Sequence, residues 1–440
     1  MTRRFTPDLR SLLPLSIAVL FAACGGEKSG GPARGNPAAD PLGLARCERT
    51  VPSWTGAVPL PSLSWADESD WEAHCAARAL DAELEKARII CLGENDHGVS
   101  ETTRWDAALL RYLIHRWNVR TIAYENDAAS TAPLNRYLSS GDPADLEEGF
   151  ADSAGTLAGS VEAEFLIEEI RAIGAELPPG ARVVWTGFDV AVQPEPSIHA
   201  LVQYMERVAP GEPTGVEDWK TKGISNAASA ASGLLEKLET NRARYVAESD
   251  EASWRRARTD AANLRDGFLF LSFYAKGDFG TGNARHREPG MIRNVEELAE
   301  NLPEGERLVL LSHNLHCAKN IPASGATSID ESPATGTHLA RSETWGPKYF
   351  VLAQLYNRGR HLVLDTPIRE KAFDSGASSL AGSIGGIWDV PALLLSTRTT
   401  ELDMDRTWDL RPMGTPYRTV PSEQFDGFLW VDEVTSVTLR

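Results

Sequence analysis

Five side chains carry the chemistry this sequence is equipped for: Glu94, His97, Glu125, His313 and His316. They come in short polar clusters: Gly93-Glu94-Asn95-Asp96-His97-Gly98, Tyr124-Glu125-Asn126-Asp127 and His313-Asn314-Leu315-His316. An imidazole with an ordinary pKa of about 6.5 takes a proton from water near neutral pH. A carboxylate beside it fixes the ring and stabilises its cationic form. A second histidine or an arginine can polarise a carbonyl or hold an oxyanion. That combination suits hydrolysis of an ester or amide by activated water. The same residue types also suit a Zn²⁺ or Mn²⁺ site, in which the metal generates the nucleophile. Two of the nine histidines fall at 313 and 316. Buried outside a site, each would need its own hydrogen-bond partner.

For these residues to meet, the chain must bring distant segments to one edge. Short apolar runs at 87–92, 120–124, 182–188, 307–312 and 349–353 predict strands of a sheet buried on both faces. Apolar spacing predicts helices at 69–87 and 101–117. In a parallel α/β sheet, ligands bind at the carboxyl ends of the strands. The first, second and fourth runs end in the clusters above, and the third ends in Gly187-Phe188-Asp189. Between the third and fourth runs the pattern is mostly helical, at 197–208, 225–249 and 251–275. That is more than one crossover needs. It predicts a helical insertion over about 195–275, packed above the cleft. Strand-like pieces return in 388–440, for example at 428–431. The expected fold class is therefore α/β, a mostly parallel central sheet flanked by helices.

Composition narrows the function. The 440 residues are 42% hydrophobic and 24% charged, values of an ordinary globular protein and not of a disordered, collagenous or multi-span membrane chain. A net charge of −18 argues against a nucleic-acid partner, which requires a basic footprint. The sequence has no Gly-x-Ser-x-Gly elbow, Walker A segment, His-Glu-x-x-His or Cys-x-x-Cys. Gly277-Asp278-Phe279-Gly280-Thr281-Gly282 is glycine-rich but follows a helical pattern, so it reads as a loop and not as a phosphate cradle.

The N-terminus reads as an address. Arg3, Arg4 and Arg10 precede an apolar run over 12–23. That run is shorter than the roughly 20 residues a membrane-spanning helix needs. It closes on Leu20-Phe21-Ala22-Ala23-Cys24, which resembles a bacterial lipobox. The expectation is a signal peptide over 1–23, lipid attachment at Cys24, a Gly/Pro/Ala-rich tether over 24–40 and a folded domain over 41–440. The protein would be exported and held to the cell envelope by its lipid. Cys47, Cys75, Cys91 and Cys317 then permit two disulfides in three connectivities. Cys47–Cys75 is favoured, because the other two cysteines lie beside the polar clusters. Buried free thiols are an equal alternative.

Taken in order, these motifs resemble the erythromycin esterase family. Gly93-Glu94-Asn95-Asp96-His97-Gly98 is similar to its Gly-Glu-x-x-His-Gly segment, and Glu125 falls where the family has a second glutamate. Asn135-Arg136-Tyr137, then Arg287-Glu288-Pro289-Gly290-Met291-Ile292-Arg293-Asn294, then His313-Asn314-Leu315-His316 and Gly336-Thr337-His338-Leu339 follow in the family's order. The resemblance implies a metal-independent hydrolase that opens a macrolide lactone, or another carboxylic ester, with water. His97 would be the general base, oriented with the water by Glu94 and Glu125. His313 and His316 would bind substrate or the oxyanion, and Arg287 would act by charge or by holding the carboxylates. Asp96, Asn314 and Met291 are the expected substrate contacts. Asp96 would also raise the His97 pKa or offer a metal ligand. Two other readings use the same residues. One is a hydrolase or peptidase dependent on a divalent metal. The other is a surface lipoprotein that binds a ligand without turnover.

Overall fold

Ile89–Glu94 is buried at every position but its last. Its alternate side chains enter two separate cores. Ile90 and Leu92 face the helices Ser100–Trp117 and Val161–Glu176. Ile89 and Cys91 face Glu288–Glu300 and Thr335–Arg341. A strand with helices on both faces must be apolar throughout, which is why the sequence shows a run here and not an alternation.

The computed structural model describes residues 40–44, 47, 56–61, 70–151, 159–322, 332–363, 368–411 and 417–440. The signal segment, Cys24 and the tether as far as residue 39 lie outside the described residues. The strands are β1 (Ala57–Leu60), β2 (Ile89–Glu94), β3 (Val119–Tyr124), β4 (Val184–Gly187), β5 (Arg307–His313), β6 (Tyr349–Val363), β7 (Arg369–Asp374), β8 (Ala392–Ser396), β9 (Trp408–Asp409), β10 (Arg418–Thr419) and β11 (Gly427–Val434). The main sheet runs β1-β8-β11-β6-β2-β5-β3-β4, and β7 pairs with β6. From β11 to β4 every neighbouring pair is parallel. β1 and β8 close one edge antiparallel, and β9 and β10 form a separate ribbon. The carboxyl ends of β2, β5, β3 and β4 therefore stand side by side, as a parallel sheet requires for a shared site.

The expected strands form with bounds shifted by a few residues, with one larger difference. β6 continues to Val363 because its outer half leaves the layered core and makes a hairpin ladder with β7, Arg358 opposite Asp374 through Val363 opposite Arg369. The helix expected over 69–87 is broken into Asp70–Ala77, a 3₁₀ turn at Arg78–Leu80, and Asp81–Leu84. The one expected over 225–249 is interrupted at Asn241, giving Ile224–Thr240 and Arg242–Glu248. With Pro194–Val208 and Glu251–Tyr274 these helices enclose a third core that includes Leu201, Met205, Leu234, Tyr245 and Phe268. This layer meets the chain leaving β4 at close quarters. A Cβ on Gly267 would come within 2.2 Å of the Ala191 carbonyl oxygen, so only glycine fits there.

Two disulfides are present, Cys47–Cys75 and Cys91–Cys317. The second joins β2 to the turn after β5 inside the apolar core and encloses the longer loop, a sequence separation of 226 against 28. The loop-entropy account makes the longer closure worth roughly 2 kcal/mol more. Replacing Cys91 and Cys317 together by alanine should therefore lower the urea midpoint more than replacing Cys47 and Cys75. The reverse order would show that local packing, not chain closure, sets the contribution.

Candidate active site

β2 delivers the first pair. Gly93 has no room for a side chain, since a Cβ there would lie 2.2 Å from Asn314 Oδ1. This close approach brings the β2 and β5 ends together. Gly98 takes φ +74°, so the chain reverses directly after His97. Within that turn His97 Nδ1 lies 2.5 Å from Glu94 Oε1. Nδ1 carries the proton toward the carboxylate, and Nε2 has no partner among the described residues. The His97 side chain is about a third exposed, at 32%. Burial alone would lower its pKa, but the Glu94 and Glu125 carboxylates override this and raise it to about 9.

β3 delivers Glu125, and this carboxylate is fully engaged. Its Oε2 accepts the Ser312 hydroxyl at 2.7 Å and the His313 backbone N–H at 2.8 Å. Its Oε1 accepts Arg287 Nη2 at 2.7 Å and faces His316 Nε2 at 3.4 Å. Burial would raise the Glu125 pKa, yet His316, Arg287 and His97 hold it well below the usual carboxylate range. Arg287 comes from a π-helical turn, Asn283–Arg287, that runs into the helix Glu288–Glu300. Such turns recur at functional sites because they re-aim a side chain. Here the guanidinium also holds Asp189, beyond β4, with Nε at 3.0 Å and Nη2 at 2.7 Å from Oδ2.

β5 delivers two histidines with opposite fates. His313 Nδ1 accepts the Leu315 backbone N–H at 3.2 Å, and Nε2 lies 3.0 Å from the Asn95 carbonyl oxygen. This arrangement fixes a neutral ring with its proton on Nε2 and no spare lone pair. Burial, with the neighbouring His97 adding repulsion, lowers its pKa to about 3. His316 lies between two carboxylates, with Nδ1 at 2.6 Å from Glu288 and Nε2 at 3.4 Å from Glu125. Burial opposes its charge, but Glu288 and Glu125 raise the pKa to about 10. Glu288 is anchored in turn by the Thr335 backbone N–H and hydroxyl, each at 2.8 Å.

The structure thus gathers Glu94, His97, Glu125, Arg287, His313 and His316. The three expected substrate contacts are all buried. Met291 is fully buried with Val295 in the core beneath the sheet, on the apolar face of its helix. Asp96 is also buried; it accepts Asn95 Nδ2 at 2.6 Å and faces His361 at 3.5 Å. The largest charges that lift His97 are those of Glu94 and Glu125. Asn314 spends its amide on the Gln354 carbonyl at 2.8 Å. Sequence reasoning passed over Asp189 and Glu288. Asp189 ends the third expected strand as the other residues end theirs, and Glu288 follows Arg287 directly, so a positional signal existed for both.

The donor set suits a resident metal poorly. The Arg287 guanidinium bridges Glu125 and Asp189 where a cation would sit, and both His313 nitrogens are committed. No group of three His, Cys, Asp or Glu among the described residues has metal-ligating geometry. What the cluster offers is one imidazole, His97, with an open nitrogen, backed by a carboxylate and flanked by two partly buried cations.

The same pKa shifts make this cluster pH-sensitive. The folded pKa of His316 is raised from 6.5 to about 10. Its stabilisation is complete below 6.5 and drains away as pH rises toward 10. Glu125 and Glu288 are lowered from 4.5, so theirs is present above 4.5 and lost on acidification. The stability difference between the wild type and His316→Gln should therefore be largest between about pH 4.5 and 6.5 and shrink steadily to pH 10. Urea titrations across that range check it; a constant difference would mean His316 is not held as a cation.

No functionally curated protein matches the chain at a significant level. Among solved structures, a succinoglycan biosynthesis protein superposes with a TM-score of 0.68 at 16% identity, covering 91% of this chain and 99% of its own. A Bacillus cereus protein gives 0.68 at 17%, covering 93% and 100%. A mutant of the erythromycin esterase EreC in its open conformation gives 0.66 at 19%, covering 82% and 94%. At these identities the likeness is one of fold. The sequence profile named Erythromycin esterase matches residues 114–434, a stretch that holds Glu125, Arg287, His313 and His316 and begins after the Glu94–His97 turn. By that match over well more than half its length, the chain belongs to the erythromycin esterase family.

Proposed function

We propose that this protein hydrolyses a carboxylic ester or lactone with a water molecule activated at His97 Nε2. The observation that carries this reading is the distribution of ring nitrogens. Of the three clustered imidazoles, His97 alone keeps a nitrogen without a partner, while Glu94 holds the other at 2.5 Å. Glu94 fixes the tautomer with Nε2 unprotonated and stabilises the imidazolium once the proton arrives. The proton then passes from Nε2 to the departing alkoxide. His316 Nε2–H, whose contact with Glu125 is the longest of the cluster, is the N–H best placed to turn toward the developing oxyanion. Arg287 holds Glu125 and Asp189 in place and keeps positive charge beneath that oxygen. No step is routed through a metal, so EDTA treatment should leave the rate unchanged. Activity abolished by EDTA and restored by added Zn²⁺ or Mn²⁺ would favour the metallohydrolase instead.

A pKa of about 9 leaves His97 mostly protonated at neutral pH in the substrate-free protein. A base in that state becomes competent as pH rises. Hence kcat/KM should climb about tenfold per pH unit and level off near 9. A rate that falls through pH 9 would make His97 an acid or electrophile. His97→Ala should cost about 10²–10⁴-fold in kcat with an unchanged circular dichroism spectrum. Undiminished turnover in that folded variant would remove His97 from the mechanism.

We also propose that the enzyme works outside the cytoplasm, held by lipid at Cys24. Two disulfides in the folded domain support an oxidising compartment. In cells, Cys24→Ser should move the protein from the membrane fraction to the soluble one; continued membrane association would count against the anchor.

A further inference from the structure

Large apolar side chains are seldom exposed in this protein; among the described residues there are four, Val161, Tyr274, Phe279 and Ile387. Two of the four touch each other. Tyr274 is 59% exposed and Phe279 42%, with ring centroids 6.1 Å apart in an edge-to-face contact. Both rest on Phe270, which is buried, at 6.1 and 5.6 Å. The Arg287 guanidinium lies 6.0 Å from the centre of that same ring. One layer of aromatic rings therefore leads from the surface to the arginine that holds Glu125.

The backbone shows how the patch is built. The helix Glu251–Tyr274 ends in a turn in which Gly277 takes φ +78°, and the Asp278 N–H reaches back to the Phe273 carbonyl. This reversal folds Phe279 onto Phe270. The chain then passes through Phe279–Gly282 directly into the π-turn carrying Arg287. The glycine-rich stretch 277–282 thus joins the exposed rings to the catalytic cluster in one short segment. Exposed aromatics in contact with each other, backed by a buried ring, make a surface that water wets poorly.

We propose that Tyr274 and Phe279 form the apolar wall that receives the alkyl or other apolar portion of the ester substrate, and so determine specificity. The inference rests on the hydrolase reading and deepens it. Its occupant is argued from continuity: the exposed rings pack on Phe270, and Phe270 lies against Arg287, the guanidinium that holds Glu125 at 2.7 Å. The expected effect lies in binding. A methylene buried fully against such a wall is worth about fourfold in affinity, and one buried by half about twofold.

The test is a chain-length series, p-nitrophenyl acetate to decanoate, with the wild-type full chain and Tyr274→Ser/Phe279→Ser. Both side chains are exposed, so the double substitution leaves the core intact. In the wild type, kcat/KM should rise about twofold per methylene over the first several carbons, through KM. In the variant that slope should vanish, with acetate turnover within about twofold of the wild type. Equal slopes in the two proteins would overturn the proposal. If the wild type hydrolyses none of these esters, the hydrolase reading falls on its own. Titration calorimetry with decanoate, which needs no turnover, then decides the wall. Binding weakened at least about tenfold by the double substitution sustains it, and unchanged binding ends it.

Discussion

The carboxylate of Glu125 is the point on which the site turns. It is a buried anion, and a buried anion is tolerable only when its lone pairs are met by donors of good geometry. Ser312, the His313 backbone, Arg287 and His316 meet them. Those donors come from β5, from the π-turn before Glu288–Glu300 and from the turn after β5. Satisfying the one side chain that directly follows β3 therefore sets where three other elements stop. Asp189 extends the constraint to β4 by sharing the same guanidinium. Removing one partner would leave an uncompensated charge in the interior, which commonly costs several kcal/mol. The cluster is thus held by mutual necessity rather than by any single strong contact.

That mutual constraint also divides the histidines by role. Nothing in the ring itself separates His97, His313 and His316. His313 is neutral because a backbone N–H and a backbone carbonyl occupy its two nitrogens. His316 is cationic because carboxylates flank it on both sides. His97 has one carboxylate and one open edge. Three identical side chains within one small volume become a structural pin, a fixed charge and a ring with one open nitrogen through their partners alone.

Much of this was legible in the sequence, and the rest was hidden for a physical reason. Apolar runs announced β2 to β6 because a strand covered on both faces has no polar choice. The polar clusters at their ends announced Glu94, His97, Glu125, His313 and His316. The roles were another matter. Whether a histidine is left open, pinned or charged depends on partners such as Glu288 and the Asn95 carbonyl, and sequence spacing does not say which of these it will meet. Met291 shows the converse: it lies within a recognisable motif, yet its helical phase points it into the core. Antiparallel β1 and β8 carry no signal of their direction, since direction is decided by the partner strand. Of the pairings open to the four cysteines, Cys91–Cys317 requires knowing that β2 and β5 are neighbours, a long-range fact.

The position of β5 in the sheet also fixes the site in time. β2 and β3 follow each other in the chain, yet they are not adjacent; β5 lies between them. Glu94 aligns with His313, a residue made more than two hundred positions later. While the ribosome is still short of β5, the glutamates, His97 and Arg287 exist but have neither His313 nor His316 beside them. Pairings across such separations are closed late, after the local helices have formed. The completed cluster is consequently one of the later features to come into being. A chain still under synthesis carries most of the cluster's side chains without yet carrying the cluster.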